Sequence, residues 1–371
     1  MKIALVHDFL NTWGGGEMVL KVFSEIWPEA PIYCLTAEPK IVKEFLPNRK
    51  IITSFLQKMP GMPKKFRYYL SLMPRAIESF DFEGFDLILS DSSAFAKGAI
   101  THPPTRHVCY LHTPTRYMWS DRESYVASAP IPLSFIGQKV VNTIIKNLQK
   151  WDLRAAKRPD YLIVNSQYIA DRTVKYYHRQ PDQIIWPPVD CQRFKIGQVK
   201  EYYLVVGRQE PYKRTDLAIL AANQLGVRLK VVGGGSKLEQ LKRLAGPTVK
   251  FTGRVSNEEL NALYSGALAF LFPPKEDAGI TPLESMASGR PVIAYGEGGA
   301  LESVVPGVTG EFFKEQTVES LVEALKNFRI KKYDPQTIRR HAEQFNKEGF
   351  KAKIKSIIEE QYRLSKTGLS S

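Results

Sequence analysis

The feature that most constrains this fold is an alternation of short apolar runs, glycine-rich or polar loops and helix-compatible segments. It begins at residue 2 and begins again at residue 201. Continuous apolar runs of this length are typical of strands buried in a parallel sheet. Strands that alternate with helices require right-handed crossovers between parallel strands. We therefore predict two doubly wound α/β domains, with strands at residues 2–8, 31–35, 85–90, 106–112 and 161–165 in the first series and 201–207, 227–233, 248–253, 268–272 and 291–295 in the second.

A turn-rich segment at residues 186–190 ends the first series and predicts a domain boundary between residues 194 and 200. The predicted domains are therefore residues 1–195 and 196–371. The tail contains two predicted helices, and one of them could pack back on the first domain. In doubly wound sheets, ligands bind at the carboxyl ends of the strands, near helix N-termini. With two such domains facing each other, the cleft between them is the expected site.

Length and composition agree with two globular domains: 371 residues, of which 43% are hydrophobic and 24% charged. No apolar segment approaches the roughly 20 residues that span a bilayer, and the apolar run at the N-terminus is too short for a signal peptide. The three cysteines lack metal-ligand spacing, so we interpret them as free thiols in a reducing compartment. We therefore expect a cytoplasmic protein.

The formal net charge of +14 is spread over both halves, with two richer stretches at residues 57–80 and 133–179. In the second stretch, basic residues alternate with the apolar residues of a long predicted helix. This composition suits an anionic membrane surface or an anionic substrate, and a solvated basic face on a core helix explains either stretch equally well. Because no recognition motif accompanies the dispersed charge, we expect no nucleic-acid partner and keep a basic nucleic-acid-binding protein as the non-enzymatic alternative.

The strongest single motif is the acidic loop at residues 273–284, which lies between a predicted strand and a predicted helix. Glu276 and Glu284 are separated by seven residues, and Gly279 between them allows the backbone to approach a ligand closely. Thr281 is predicted to cap the helix, whose first turn contains a proline. Free N–H groups there would form an anion site, and the carboxylates could accept hydrogen bonds from sugar and ribose hydroxyls. An ordinary surface loop with acidic residues is the alternative.

Two cations follow the first strand of the second series. Arg208 and Lys213 flank a turn before a helix, where they could neutralise a diphosphate, although a solvated basic turn is the simpler explanation for Lys213 alone. The triple glycine at residues 233–235 does not match the pattern G-x-G-x-x-G, so it indicates a dinucleotide site only weakly. Arg254 and Val255 end another strand, where backbone groups could read the edge of a nucleotide base.

Together these motifs resemble the family 4 retaining glycosyltransferases of the GT-B fold. In the second half the resemblance rests on Gly-Arg with Tyr-Lys-Arg, the triple glycine, Phe-Thr-Gly-Arg-Val, and the acidic loop followed by Ser-Gly-Arg-Pro-Val-Ile-Ala. The first half is similar to a polysaccharide mannosyltransferase-like subgroup. The carriers of that similarity are residues 6–9, the triple glycine at 14–16, residues 90–98 and residues 110–117. The resemblance extends from residue 2 to about residue 313.

For the second half, the resemblance implies a domain that binds a nucleotide-sugar donor. Glu276 would hold hydroxyls of the donor sugar, and Glu284 would hold the ribose. Backbone amides would contact the diphosphate while two cations compensate its charge, so that no metal ion and no cofactor is needed. The absence of an Asp-x-Asp triplet agrees with this. The implied donor-binding residues of this half are Arg208, Lys213, Arg254, Val255, Glu276, Gly279, Ile280, Thr281 and Glu284.

For the first half, the resemblance implies an acceptor-binding domain whose glycine run closes against the substrates. Gly15 and Gly16 would approach the donor, and His112 would face the reacting sugar. A plain tight turn and a satisfied structural histidine are the alternatives. The implied catalytic residues are His112, Glu276, Arg208 and Lys213, and the implied acceptor-binding residues are Asp8, Lys97 and Arg116. A solvated loop position explains Lys97 equally well.

The resemblance predicts an enzyme that transfers a hexose, with mannose from GDP-mannose as the best match, to a glycan or lipid-linked acceptor in cell-surface polysaccharide synthesis. UDP-sugars remain open as donors, and a sugar-nucleotide epimerase on the same fold remains open as the activity. A lipid-linked acceptor would place the enzyme at the inner face of the plasma membrane. A glycoside hydrolase is not indicated, because the two carboxylates share one loop and helix start and cannot readily flank a glycosidic bond.

Overall fold

The computed structural model describes residues 1–63, 65–123 and 135–367. The chain forms two compact units, Met1–Trp186 together with Lys351–Ser371, and Pro187–Phe350. Each unit contains one parallel sheet. Residue 64 and residues 133–134, which belong to the two predicted basic stretches, lie outside the described residues.

The sheet of the first unit has seven parallel strands: β1 (Ile3–Leu10), β2 (Ile32–Ala37), β3 (Ile51–Thr53), β4 (Leu87–Ser92), β5 (Arg106–Leu111), β6 (Tyr161–Val164) and β7 (Gln183–Ile184). Their order is β3-β2-β1-β4-β5-β6-β7. The order therefore reverses between β1 and β4, which is the point where doubly wound sheets bind ligands. All six residues of β4 are buried.

Helices cover the sheet of the first unit, and their apolar faces form its core. The rings of Phe95 and Trp151, 5.4 Å apart, join the loop after β4 to the longest of these helices. The helices are Gly15–Ile26, Pro39–Phe45, Met73–Glu78, Phe135–Ala155 and Gln167–Tyr177, with 3₁₀ turns at Phe55–Lys58, Phe66–Leu72 and Ala96–Gly98.

The C-terminal helix Lys347–Thr367 belongs to the first unit from Lys351 onward. The Lys351 ammonium lies 2.9 Å from the Glu25 carboxylate. Arg106 at the start of β5 donates to the side chain of Gln361 at 2.8 Å. These polar contacts fix the tail helix on the first unit.

The second unit contains a sheet of six parallel strands: β8 (Tyr203–Val206), β9 (Leu229–Val232), β10 (Val249–Gly253), β11 (Phe270–Phe272), β12 (Val292–Tyr295) and β13 (Gly310–Phe313). Their order, β10-β9-β8-β11-β12-β13, reverses between β8 and β11. The helices are Thr215–Leu225, Leu238–Leu244, Asn257–Gly266, Ile280–Ala287, Ala300–Ser303, Val318–Asn327 and Pro335–Ala342. Short 3₁₀ turns lie at Cys191–Arg193, Pro211–Lys213, Ile330–Lys332 and Glu343–Phe345.

The predicted fold class of two doubly wound parallel sheets is confirmed, and three strands escaped prediction. β3 and β7 are edge strands of three and two residues, too short to show an apolar run. β13 begins with glycine followed by glutamate, a weak strand signal. All three lie at sheet edges, where burial imposes the least sequence pattern.

The compact units divide at Trp186/Pro187, nine residues before the predicted boundary at residue 195. The intervening segment packs within the second unit. The backbone N–H of Val189 donates to Phe345 O at 2.9 Å, and the Phe194 ring lies 5.7 Å from that of Tyr264. The turn-forming prolines at residues 187 and 188 mark the point where the chain passes from the first unit to the second. The sequence interpretation placed this boundary slightly too late.

The structure bears on two expectations that were drawn from composition. Cys34, Cys109 and Cys191 are buried free thiols. Within the described ranges, no helix has both the length and the apolar character needed to cross a bilayer.

A buried histidine in β5 predicts acid sensitivity of the first unit. Burial, with the positive charges of Arg179 and Arg158, lowers the pKa of His107 to about 3. The unfolded chain takes up this proton below about pH 6.5 and the native chain does not, so stability falls as pH drops from 6.5 toward 3. Between pH 6.5 and 5 the loss from this group is about 2 kcal/mol.

The test uses His107→Gln, which can keep the hydrogen bond that Ser90 shares with the ring at 2.8 Å. Urea unfolding followed by tryptophan fluorescence reports on the first unit, because all five tryptophans lie within residues 13–186. We expect a shallower loss of stability between pH 6.5 and 5 in the variant. An unchanged pH slope would contradict this assignment.

Candidate active site

The candidate site of the second unit lies at the carboxyl ends of β8 and β11, where the strand order reverses. A small pocket there is lined by residues 205–209, Lys213, Thr215 and residues 270–274. The loop after β8 supplies cations and the loop after β11 supplies a carboxylate. This is the edge at which doubly wound sheets present ligand-binding loops.

Lys213 and Glu276 form an ion pair at this edge, from the 3₁₀ turn after β8 and the loop after β11. Their side chains are only 18% and 14% exposed. Arg208 is exposed, and its guanidinium lies 3.2 Å from the Tyr212 hydroxyl. Three of the four residues that the resemblance implied as catalytic are therefore on neighbouring loops of one unit.

Close backbone packing explains the triple glycine after β9. A Cβ atom at Gly233 would lie 2.2 Å from the carbonyl oxygen of Gly207, and one at Gly235 would lie 2.6 Å from the backbone of Gln209. Gly234 has open space around it. The glycines thus let the β9 loop support the β8 loop, which carries Arg208.

A second glycine pair supports the loop of Glu276 in the same way. A Cβ atom at Gly298 would lie 2.5 Å from the carbonyl oxygen of Glu276, and one at Gly299 equally close to that of Asp277. The N–H of Gly299 donates to Glu276 O at 2.9 Å. Rigid backbone contacts therefore fix the position of the Glu276 carboxylate.

The helix after this loop begins at Ile280, one residue earlier than the predicted cap at Thr281. Gly279 is the N-cap residue, with φ of 78° and no side-chain cap. A Cβ atom there would lie 2.9 Å from the ring of Phe272, so glycine is required both by conformation and by space. Thr281 is consequently inside the first turn, and the uncapped N–H groups of this turn remain suited to an anion.

Glu284 lies on this helix and accepts a hydrogen bond from the hydroxyl of Tyr264 at 2.8 Å. Burial raises the pKa of Glu284, while the Tyr264 hydrogen bond and Arg193 oppose that shift. Tyr264 itself is fully buried and gave no recognisable sequence signal. Its hydroxyl fixes the orientation of the carboxylate.

Arg254 and Val255 follow β10, next to the β9 loop. Arg254 is exposed and Val255 is half-buried. The N–H of Gly233 donates to Gly253 O at 2.8 Å, which joins this strand end to the glycine loop. Both residues are therefore near the β9 loop, two strands away from the Lys213–Glu276 pair.

In the first unit, His112 lies at the end of β5 in a buried cluster with two residues of β1 and β4. Strand register places His7 of β1 opposite Asp91 of β4. The His112 Nε2 atom hydrogen-bonds Asp91 Oδ1. The His7 Nδ1 atom lies 2.9 Å from Asp91 Oδ2, a close ion pair without the alignment of a hydrogen bond. One carboxylate therefore serves two imidazoles.

The charges in this cluster shift the pKa values of His7 and Asp91. Burial lowers the pKa of His7, but Asp91 and Glu17 outweigh it and raise that pKa well above its ordinary value. Burial raises the pKa of Asp91, but His112 and His7 hold it below its ordinary value. The His7 Nε2 atom lies 3.9 Å from Glu17, in the first turn of helix Gly15–Ile26.

The triple glycine of the first unit borders these histidines. Gly15 is the first residue of helix Gly15–Ile26, which follows Gly14. A Cβ atom at Gly16 would lie 3.6 Å from the His112 ring and 3.8 Å from the His7 ring. The structure therefore places Gly16 next to His112 and His7.

The structure corrects the acceptor-binding role expected for Asp8. Both oxygens of its buried carboxylate accept backbone N–H groups, from the four consecutive residues Ser93 to Ala96, at 2.6–2.8 Å. These four bonds use the lone pairs that an acceptor hydroxyl would need. Asp8 instead fixes the turn after β4.

The expected role of Lys97 is corrected on the same grounds. The side chain is fully buried, and its ammonium lies 2.6 Å from the Asp152 carboxylate. It also donates to the Thr115 hydroxyl at 3.1 Å. Arg116, the third expected acceptor residue, remains partly exposed and pairs with Asp121 at 2.9 Å. Of the three, only Arg116 is accessible to a ligand.

Sequence reasoning missed the cluster that His7, Asp91 and Glu17 form beside His112. Polar residues at the ends of two apolar strands were the available signal. Recognising it requires knowing that β1 and β4 are neighbours, since they are separated in the chain by two other strands.

Comparison with known families covers almost the whole chain. Residues 190–366 match the family described as glycosyl transferases group 1, and residues 13–193 match glycosyltransferase family 4. The two matches overlap at residues 190–193, a few residues after the division between the compact units at Trp186/Pro187. Together they confirm the resemblance noted from the sequence motifs.

Curated relatives match about half of the chain or less. A D-inositol 3-phosphate glycosyltransferase of Mycolicibacterium paratuberculosis is 32% identical over 45% of this chain and 44% of its own length. A GDP-mannose-dependent alpha-(1-6)-phosphatidylinositol monomannoside mannosyltransferase of Mycobacterium tuberculosis is 32% identical over 38% and 40%. A mouse alpha-1,3/1,6-mannosyltransferase is 31% identical over 46% and 50%. The chain thus spans half or less of the length of these relatives.

Solved structures with the same architecture cover nearly the full length. The Anabaena protein HepE, in complex with UDP and glucose, has a TM-score of 0.72 at 17% identity and covers 97% of this chain and 99% of its own. Sucrose-phosphate synthase from Thermosynechococcus elongatus has a TM-score of 0.73 at 16% identity with the same coverage. At these identities the likeness establishes the fold, which is GT-B.

Proposed function

We propose that this chain, which belongs to the group 1 glycosyl transferases, moves a hexose from a nucleotide-diphosphate sugar to a glycan or lipid-linked acceptor with retention of configuration. The observation that carries the proposal is the Lys213–Glu276 pair at the reversal point of the second sheet. A cation and a carboxylate at that edge match the two ends of a diphosphate sugar.

The cations at this edge suit the chemistry of the leaving group. As the glycosidic bond breaks, negative charge grows on the departing diphosphate. Arg208, Lys213 and the N–H groups that start helix Ile280–Ala287 would stabilise that charge more strongly in the transition state than in the ground state. We propose that they do so without a metal ion.

The carboxylates suit the two sugars of the donor. Glu276 would accept hydrogen bonds from hydroxyls of the transferred hexose, and its paired Lys213 would turn toward the diphosphate. Glu284, oriented by Tyr264, would accept from the ribose hydroxyls. Both side chains are fixed before a ligand arrives, which lowers the entropic cost of binding.

GDP-mannose is the proposed donor, with a UDP-sugar as the alternative. Support comes from the relatives, two of which carry the name mannosyltransferase and one of which is GDP-mannose-dependent. The alternative is supported by HepE, which was solved with UDP and with UDP-glucose. We propose the glycan or lipid-linked acceptor, and the place in cell-surface polysaccharide synthesis, from the family resemblance of the first half of the chain.

We further propose that the first unit binds an anionic membrane surface when the acceptor is lipid-linked. Tyr68, within the basic stretch at residues 57–80, is 60% exposed. Phe55, two residues before that stretch, is 41% exposed. Exposed aromatic rings beside basic residues suit a headgroup interface. Flotation with vesicles containing anionic lipid at low salt tests this, and absence from the floated fraction would exclude it.

Thermal shift in the presence of EDTA tests the donor assignment. A ligand present at 100 times its Kd stabilises the native state by about 2.7 kcal/mol, enough to raise Tm by several degrees. We expect GDP and GDP-mannose to raise Tm and UDP and UDP-glucose to do so less. If only UDP and UDP-glucose raise Tm, the donor is a UDP-sugar and not GDP-mannose. If no nucleotide raises Tm, the proposed donor site is rejected.

A further inference from the structure

A cleft of about 600 Å³ opens on the first unit, between helix Pro39–Phe45 and the carboxyl ends of β2 and β3. Most of its lining is apolar, with Val42, Leu46 and Ile51 among the larger side chains. Helix Pro39–Phe45 has no fully buried residue, so Val42 borders the cleft instead of a packed interior. Apolar clefts of about 300–1,000 Å³ with a few polar groups are typical of small-molecule sites.

The polar groups of this cleft favour an anion. Lys43 and Arg49 line it, and no carboxylate does so among the described residues. The Arg49 guanidinium donates to Pro28 O, which holds it in place and uses only part of its donor capacity. The amide of Gln57 is bonded on both sides to the backbone of Ala37, at 2.8 and 3.2 Å, so Gln57 forms part of the wall. An apolar cleft with two cations suits a molecule with a hydrocarbon chain and one anionic group.

The cleft lies at the same edge of the sheet as His112. Ala37 lines the cleft at the end of β2 and pairs with Leu10 at the end of β1. The Trp13 ring, in the loop after β1, stacks on the Phe45 ring at 4.1 Å with 10° between the planes. The glycine run that borders His112 follows Trp13 directly. The helix that forms one wall of the cleft is therefore in contact with the loop beside His112.

An exposed aromatic ring continues the apolar surface outside the cleft. Gln57 belongs to the 3₁₀ turn Phe55–Lys58, whose first residue is 41% exposed. The Ser54 side chain caps this turn, and its hydroxyl donates to Leu35 O at 2.8 Å, which fixes the turn on β2. A hydrocarbon chain that leaves the cleft past Phe55 would therefore continue along apolar surface.

We propose that this cleft binds the lipid part of the acceptor, with the hydrocarbon chain along Val42 and Ile51 and a phosphate at Lys43 and Arg49. The acceptor sugar, beyond the phosphate, would then extend along the edge of the sheet toward His112. This inference rests on the proposed function for the statement that the lipid carries an acceptor sugar. Binding of a lipid phosphate depends only on the cleft.

Isothermal titration calorimetry of the full chain with farnesyl phosphate, a soluble prenyl phosphate, tests the binding. We expect saturable binding at one site with a negative heat-capacity change, because apolar surface is buried. Farnesol lacks the phosphate and inorganic phosphate lacks the chain, so each should bind more weakly by about tenfold or more. Absence of farnesyl phosphate binding, or equal binding of either fragment, would overturn the proposal.

Two lysines of helix Pro39–Phe45 provide a matched pair of variants. Lys40 and Lys43 are both exposed, and of the two only Lys43 lines the cleft. Lys43→Glu should weaken farnesyl phosphate binding by about tenfold or more, because it replaces a cation beside the phosphate by an anion. Lys40→Glu should change the affinity by no more than about twofold. An equal loss in both variants would indicate general attraction to a basic surface and would overturn the site.

A second pair of variants tests the apolar wall. Val42→Asp places a charge in the cleft and should also weaken binding by about tenfold or more. Its control is Val174→Asp on helix Gln167–Tyr177, outside the cleft, where the valine is 36% exposed. Far-UV circular dichroism checks that each variant is folded. Unchanged binding in Val42→Asp would contradict the proposed position of the chain.

The same variants separate this inference from the proposed function. Farnesyl phosphate binding that both cleft variants weaken, without sugar transfer to any lipid, would reject the transferase and leave the cleft site intact. Sugar transfer to lipid with an unchanged acceptor KM in Lys43→Glu and Val42→Asp would reject the inference alone. Loss of vesicle flotation in these variants with unchanged farnesyl phosphate binding would make the cleft a membrane contact and would also reject it.

Discussion

Replacing Glu276 by glutamine is expected to lower kcat/KM about 100- to 1,000-fold, which corresponds to about 2.7–4 kcal/mol of transition-state stabilisation. The substitution keeps the size of the side chain and removes its charge. The hydroxyls of the donor sugar lose a charged acceptor, and Lys213 loses its partner. Lys213→Ala should cost a similar amount, because it removes a cation from the leaving diphosphate. Steady-state release of the nucleotide diphosphate measures both.

The control for the Lys213–Glu276 pair is an exposed Lys–Glu pair of the second unit. Glu239 lies 2.8 Å from Lys242 on helix Leu238–Leu244, with side chains 74% and 47% exposed. Glu239→Gln should leave kcat/KM within a factor of about two, because exposed ion pairs contribute little. Near-normal turnover in both Glu276→Gln and Lys213→Ala would mean that the donor binds elsewhere.

Replacing Lys97 by methionine is expected to lower the free energy of unfolding of the first unit by about 3–5 kcal/mol. The change leaves the Asp152 carboxylate, which is completely buried, without a counter-ion. Thr115, Trp119 and Tyr177 still donate to it at 2.8–3.1 Å, but their hydrogen bonds do not neutralise it. In thermal unfolding this corresponds to a fall in Tm of roughly 6–20 °C. Tryptophan fluorescence follows the transition.

Two further variants distinguish lost charge pairing from general damage. Lys351→Met removes the cation of a pair with side chains 24% and 30% exposed and should cost less than about 1 kcal/mol. Lys97→Met combined with Asp152→Asn removes both buried charges, keeps an amide oxygen that can accept from Trp119 and Tyr177, and should recover much of the loss. A single Lys97→Met variant with less than 1 kcal/mol of destabilisation would contradict the buried pair.

The sheets were predictable because burial imposes a pattern that a single sequence displays. Apolar runs such as residues 2–8 and 201–207 correspond to β1 and β8, with ends shifted by one or two residues. Strand order was not predictable, because it depends on contacts between distant segments. The domain boundary shifted for the same reason: Val189 pairs with a segment more than 150 residues away.

The donor loops could be recognised from the sequence because their motifs are local. Arg208 with Lys213, and Glu276 with Glu284, each lie within one short segment. The cluster around Asp91 could not be recognised from local motifs, because its residues lie on β1, β4, the end of β5 and helix Gly15–Ile26. The acceptor-binding role expected for Asp8 and Lys97 was wrong, because their motifs gave no indication that these side chains are buried. Hydrogen bonds to the backbone give Asp8 a structural role, and the Asp152 pair does the same for Lys97.

The most direct test of the transferase is phosphorus-31 NMR of GDP-mannose with the purified chain, EDTA and a membrane lipid extract as acceptor. We predict that the β-phosphate signal of GDP appears only when acceptor is present and that an equal amount of mannose enters the lipid fraction. The same experiment with UDP-glucose covers the alternative donor. Conversion of either donor to another sugar nucleotide without acceptor, or no consumption of either donor, would contradict the account.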